Sequence, residues 1–269
     1  ATMKIPFHCL PFCFVSSHQQ SKKSSPLANS RLSSLPVTPP PAHSKFRPLT
    51  KLKMMMPKDQ TPQEKINQEW DGMAGEWDDL ASGYAAGLHA VLWEKTGIED
   101  PSTLTVVDFG CGTGLLTERL ASQVTRVVAL DASPKMVEQL QDKISTREGF
   151  ENVSAVAGIL GSLDKESTEF KQTIESLNGS VDVVVASSVI NFIPDEDLEA
   201  TCIALGKLLK PGTGLLFHTD WPSGEGEPAD GMTSEKAEKI YAMAGGLKSE
   251  MTDVGSLKMG KDEGNVFFG

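Results

Sequence analysis

The heptapeptide Asp108-Phe109-Gly110-Cys111-Gly112-Thr113-Gly114 sets a carboxylate at the end of an apolar run, then a glycine-rich turn, then a helical segment. Glycines permit a tight turn and close approach of a ligand to the backbone, and a helix start offers unpaired N–H donors. Several nucleotide-like ligands use such a loop, and spacing separates them. A dinucleotide fingerprint, G-x-G-x-x-G, needs its third glycine at the sixth position; counted from Gly110 that position is Leu115, and Gly114 comes one place early. Asp108 would also add negative charge beside a pyrophosphate, so it suits a cationic ligand instead. Downstream, Asp131 ends the next apolar run in Leu130-Asp131-Ala132-Ser133, where a carboxylate can accept hydrogen bonds from both hydroxyls of a ribose. Together the two acids and the loop predict an adenosine-bearing cation as ligand.

A candidate base is His218 in the run FHTDW, with Asp220 two residues on and therefore on the same face of a strand. A lone histidine at a strand end is more often a structural residue than a base, and His89 is a weaker candidate. No metal-ligand set is read from the sequence.

These residues need a frame that brings them to one edge. Apolar β-rich runs at 103–110, 125–133, 152–158, 181–188 and 213–221 alternate with helical segments after Gly114, after Pro134, over DKESTEFKQTIESLN and over DEDLEATCIALGKLLK. Short apolar strands separated by amphipathic helices predict an α/β fold, a doubly wound, mostly parallel sheet covered on both faces. After a helix over SEKAEKIYAMAG, the runs GLKSEMTDVGSL and NVFFG flank a turn-rich KMGKDEGN, which predicts a C-terminal antiparallel hairpin and brings the sheet to seven strands. Ahead of the core, Thr61 and Pro62 open a helical region carrying Trp70, Trp77, Tyr84 and Trp93. That stripe reads either as a helix pair covering the sheet or as a lid over the site, which Gly72, Gly75, Gly83 and Gly87 would let bend.

Residues 1–58 hold nine Lys or Arg, nine Ser, nine Pro and no acid, whereas the remainder carries 16 of the 25 basic residues and all 36 acidic ones. A basic, acid-free leader has the composition of an organellar transit peptide, and its prolines favour a plastid over a mitochondrial address. The alternative is a cytoplasmic protein with initiation at Met54, Met55 or Met56. The expected division is therefore a leader at 1–58 and a domain at 59–269, its first part (59–100) a helical lid and the rest (101–269) the core. An acidic body speaks against nucleic acid as partner. No apolar stretch reaches the ~18 residues of a membrane span. The four cysteines, two of them in the leader, form no disulfide framework. A small molecule is the expected partner.

The series DFGCGTG, LDASPKM, SSVINFIPD and LLKPGTGLLF, in this order and spacing, resembles the class I S-adenosylmethionine-dependent methyltransferases, small-molecule type, over about residues 61–269. The resemblance implies S-adenosylmethionine as cofactor. Asp108 would meet its methionine ammonium, Gly110, Cys111, Gly112, Thr113 and Gly114 would form the loop beneath it, Asp131 would hold the ribose, Ala132 and Met136 would flank the adenine, and Ser187 and Ser188 would stand near the sulfonium. Many members place an acid after the third strand's glycine; here Gly158 is followed by Ile159 and Leu160, so adenine recognition would rest on backbone and apolar groups. With SSVINF where amino-methylating enzymes carry Asn-Pro-Pro-Tyr or Asp-Pro-Pro-Tyr, the resemblance favours O- or C-methylation of a small acceptor. A nicotinamide-dependent oxidoreductase and a non-catalytic binding protein of the same fold are the rival readings.

Overall fold

The computed structural model describes residues 61–223, 231–245, 247–260 and 262–269; the expected leader lies outside the described residues. The chain opens with α1 (Pro62–Met73), whose start is fixed by a capping box: the Thr61 hydroxyl accepts from the Glu64 amide and the Glu64 carboxylate from the Thr61 amide. A 3₁₀ turn over Ala74–Glu76 leads into α2 (Trp77–Thr96), which Gly97 closes in the left-handed conformation (φ 68°).

The core then alternates β1 (Thr105–Phe109), α3 (Leu115–Ala121), β2 (Arg126–Asp131), α4 (Pro134–Thr146), β3 (Val153–Ala157), α5 (Thr168–Leu177), β4 (Val183–Ser187), α6 (Asp195–Leu208), β5 (Leu215–Asp220) and α7 (Ser234–Met243), before the hairpin β6 (Asp253–Met259) and β7 (Asp262–Phe268). The seven strands lie in the order β3-β2-β1-β4-β5-β7-β6; the first five are parallel, and β7 joins β5 antiparallel. Strand order reverses between β1 and β4. In doubly wound sheets the carboxyl ends at such a reversal are where ligands bind; Asp108 at the end of β1 and Ser187 and Ser188 at the end of β4 flank it, with Asp131 at the end of the neighbouring β2.

The period of two along each strand divides the side chains between two apolar layers. Val106 of β1, Val183 and Val185 of β4 and Phe217 of β5 pack with Leu88, Leu92 and Leu120 beneath α2 and α3. Val107, Phe109, Val184 and Ala186 point the other way, toward Phe170, Ile174, Leu205 and Tyr241 of α5, α6 and α7. Asp108 therefore lies on the α2 and α3 face, while His218 and Asp220, out of step with Phe217, lie on the opposite face.

Two expectations change. DKESTEFKQTIESLN is not one helix: a 3₁₀ segment over Leu160–Lys165 precedes α5, which starts only where Ser167 caps it by accepting from the Phe170 amide. The hairpin turn is much shorter than KMGKDEGN. Lys258 and Met259 belong to β6 and Asp262 to Asn265 to β7, because an edge strand accepts alternate charged residues that composition reads as loop. The glycines of the helical region also divide: a Cβ on Gly72 or Gly75 would meet nothing within 4 Å, whereas Gly83 and Gly87 face the backbone of β6 at Met259 and Lys258. The second pair serves close packing, not bending. Among the described residues no helix is long and apolar enough to cross a membrane.

Candidate functional site

Asp108 ends up 2% exposed at the tip of β1, where the Thr117 hydroxyl of α3 donates to it at 2.5 Å. Burial, with the nearby Asp131 charge adding to it and the Thr117 hydrogen bonds opposing it, pushes its pKa up to about 6. Asp131, at the end of β2, is half-buried; it accepts from the Gly112 amide through one oxygen and from the Ser133 amide through the other, both at 2.8 Å. Desolvation raises its pKa as well. Two carboxylates thus converge under one loop.

Gly110, Gly112 and Gly114 all adopt positive φ (75°, 55° and 85°), which accounts for three glycines in five residues. The amide hydrogens of this loop are largely engaged inside the protein. Gly110 and Cys111 both donate to the Leu130 carbonyl, Gly112 to Asp131 and Gly114 to the Cys111 carbonyl. A phosphate cradle needs those donors free. The Cys111 side chain turns inward among Ala129, Val137, Leu140 and Phe150, and burial holds its thiol well above the usual range, so only its backbone belongs to the loop surface.

The remaining residues separate into those the structure brings to this opening and those it does not. Ala132 stays half-exposed beside Asp131, but Met136 is 2% exposed, with its amide tied to the Ser133 hydroxyl. Gly158 continues from β3, and its missing side chain leaves room for the Phe170 ring. At Ile159, where the usual acid is lacking, the amide donates at 3.0 Å to the carboxylate of Glu166. An acid does reach this strand end, from seven residues downstream.

Ser187 and Ser188 meet Tyr84, a member of the aromatic stripe of the helical region. The Tyr84 hydroxyl of α2 lies 3.0 Å from the Ser188 hydroxyl, 3.4 Å from that of Ser187 and 3.0 Å from that of Thr219, while Thr219 donates to Ser187 at 3.1 Å. Ser188 is the only non-glycine among the described residues with positive φ (52°), a strained conformation held in place by this cluster and by the bond from its amide to the Thr219 carbonyl at 2.7 Å. Replacing Tyr84 by Phe removes the hub and leaves buried hydroxyls short of a partner. The expected cost is about 1–2 kcal/mol in urea unfolding at unchanged m-value.

His218 is not brought to the opening. It is completely buried on the α7 side of the sheet, with Nδ1 2.9 Å from the Tyr241 hydroxyl and Nε2 3.4 Å from Asp220. Period two put His218 and Asp220 on one face as expected, but that face is the one α7 covers. Asp220 in turn accepts from the Asn191 and Trp221 amides, which ties the end of β5 to the segment after β4.

The helical region closes the other side. Trp77 stands over the loop, with Nε1 2.8 Å from where a Gly112 Cβ would be. Trp70 meets both Trp77 and Phe192 edge-on, at centroid distances of 5.3 and 5.1 Å. Asp71 accepts from the Ser133 hydroxyl at 2.6 Å and the Lys135 amide at 3.1 Å. Asp78 accepts from the Thr113 hydroxyl at 2.5 Å and pairs with Lys143 at 2.7 Å. Apart from Trp70 on Trp77, each of these contacts joins segments more than 30 residues apart, which leaves no local trace in the sequence.

A family model described as a methyltransferase domain matches residues 106–212, the span from β1 to the end of α6 that holds the loop, both acids and the strand ends. Across that span the chain is similar to the methyltransferase domain family. Methyltransferases are also its relatives. A ubiquinone biosynthesis O-methyltransferase of Xanthomonas oryzae pv. oryzae is 32% identical over 151 residues, 55% of this chain and 57% of that protein. A cypemycin N-terminal methyltransferase of a Streptomyces species is 36% identical over 149 residues, 55% of this chain and 54% of that protein. The chain thus spans little more than half the length of these curated relatives. The magnesium protoporphyrin IX methyltransferase of Synechocystis PCC 6803, solved with S-adenosylmethionine bound, shares the fold with a TM-score of 0.54 at 17% identity, over 79% of this chain and 98% of that one.

Proposed function

We propose that this methyltransferase domain binds S-adenosylmethionine beneath the loop at 110–114 and transfers its methyl group to a small-molecule acceptor. One observation carries the reading: the opening is lined by acids while four of the loop's five amides donate to protein oxygens. A pyrophosphate would find carboxylates where it needs donors. An ammonium next to Asp108 and a pair of ribose hydroxyls at Asp131 find acceptors. The residues present therefore fit the cofactor. Asp108 would hold the amino end, Asp131 the ribose, and Glu166, which accepts from the Ile159 amide, would receive the adenine amino group.

The sulfonium supplies an already activated methyl group, so the chain's own task is to align the acceptor and exclude water. Trp70, Trp77 and Phe192 form an apolar screen over the loop, and the hydroxyls of Tyr84, Ser187, Ser188 and Thr219 supply neutral hydrogen-bonding groups at the ends of β4 and β5. Such surroundings favour a largely apolar acceptor with a hydroxyl or an activated carbon, and O- or C-methylation is the reading we adopt. It is supported by the O-methyltransferase among the relatives.

The rival is a nicotinamide-dependent oxidoreductase. S-adenosylhomocysteine at about a hundred times its dissociation constant should raise the melting temperature by roughly 5–10 °C, and NADPH should leave it unchanged. Stabilisation by NADPH alone would overturn the proposal. Transfer of labelled methyl from the donor into a small-molecule fraction separates an enzyme from a binding protein of the same fold.

A further inference from the structure

Lys143 is a buried cation, and its position explains how the helical region is held over the loop. It sits on α4 with its side chain 8% exposed, and its ammonium reaches past the helix to donate to the Thr113 carbonyl at 2.9 Å and to Asp78 at 2.7 Å. Asp78 belongs to the first turn of α2 and also receives the Thr113 hydroxyl. One carboxylate, one ammonium and one loop residue thus close a three-way clasp between α2, α4 and the glycine-rich loop. We propose that Asp78 is a positioning residue of the donor site: through Thr113 and Lys143 it fixes Trp77 over Gly112 and holds the 62–78 segment shut.

Three features of the geometry point this way. Trp77 is the immediate neighbour of Asp78, so anchoring the carboxylate sets where the indole lies against the loop. Ahead of Trp77 the 3₁₀ turn at Ala74–Glu76 interrupts the helix, and Gly75 within it meets no neighbour, so α1 has a joint about which it can swing. A buried ammonium deprived of its counter-charge is also unfavourable. Withdrawal of Asp78 therefore leaves Lys143 with only a carbonyl, and that penalty favours the closed arrangement. Asp71 on the Ser133 hydroxyl gives α1 a second, weaker attachment to the start of α4.

Clasp and cofactor are separable: the clasp is a property of the free protein, and it rests on the donor reading only for what lies beneath Trp77. Hydrogen–deuterium exchange on the full chain tests it, comparing wild type with Asp78→Asn, Lys143→Met and, as control, Asp79→Asn on the exposed neighbouring position. Without ligand, Asp78→Asn and Lys143→Met should each speed exchange about tenfold in peptides covering 62–80 and 110–117, leaving β2 and β4 at wild-type rates, while Asp79→Asn changes nothing. Wild-type exchange in both segments of either variant overturns the proposal. Asp78→Asn is isosteric and remains decisive should Lys143→Met fail to fold. With S-adenosylhomocysteine, the ligand should leave Asp78→Asn several-fold faster than wild type, and an equal rate would overturn the positioning role. Ligand that alters nothing in the wild type would count against the donor reading and leave the clasp to be judged by the free-protein rates.

Discussion

Asp108→Asn is expected to make the ligand-free protein more stable at neutral pH and to abolish most of its affinity for the cofactor. The two effects have one cause. The Asp108 carboxylate is buried with a single side-chain hydrogen bond and a second acid nearby, which moves its pKa from 3.8 to about 6. A raised carboxylate pKa means that the folded state binds more protons than the unfolded state between about pH 4 and pH 6. Stability conferred at this site is therefore present below the unfolded pKa, falls as pH rises through that window, and stays low above it. The shift corresponds to a penalty on the order of 3 kcal/mol. Asn keeps an oxygen for the Thr117 hydroxyl and carries no charge, so unfolding free energies of variant and wild type should diverge from pH 4 to pH 6 and then run parallel. Parallel curves throughout would show that Asp108 is not buried as a charge. Removal of a carboxylate facing a ligand ammonium should weaken S-adenosylhomocysteine binding on the order of a hundredfold by calorimetry. On the proposed reading, a buried charge that only a bound cation would offset is a stability cost carried for binding.

That position was legible in the sequence for a specific reason. Asp108, Gly110, Gly112, Gly114 and Asp131 act locally: each is fixed by the end of its own strand or by a φ that favours glycine, so spacing alone carries the information. The parallel strands were legible too, since strands buried on both faces read as short, mostly apolar runs such as TVVDF and VVVAS. What escaped is everything set by contact between distant segments. Tyr84 on the β4 and β5 hydroxyls, Asp78 on Lys143 and Glu166 on the Ile159 amide leave no periodic trace, because any polar residue on an exposed helix turn looks alike before the chain folds. His218 shows the complementary difficulty. Alternation fixed its face relative to Asp220, but which helix covers that face is a property of the connections, and α7 covers it with Tyr241. The hairpin follows from its pairing logic, but its turn reads too broad in the sequence, because Lys258 on the edge strand β6, and Glu263 and Asn265 on the part of β7 that pairs with β6 alone, carry the composition of a loop.

The glycines of α2 give the sharpest test of how the helical region is seated. Gly87→Ala should be strongly destabilising, although alanine is the better helix former, while Gly72→Ala in α1 should stabilise. A Cβ on Gly87 would collide with the Lys258 carbonyl oxygen and lie 3.1 Å from the Leu257 side chain. The first of these is backbone of β6, so the helix must move. Overpacking of this kind costs about 1–3 kcal/mol or more, against a helix-propensity gain of about 1 kcal/mol. Gly72 has the same intrinsic preference and open space around it, so only the gain of about 1 kcal/mol applies there. Urea unfolding of the two variants should therefore give shifts of opposite sign. Displacement of α2 from β6 would carry Tyr84 away from Ser188 and Trp77 away from Gly112, so Gly87→Ala should also lose S-adenosylhomocysteine affinity, and Gly72→Ala should retain it. Equal and favourable shifts in both variants would mean that α2 does not rest on the hairpin, and the C-terminal strands would then have no part in holding the site closed.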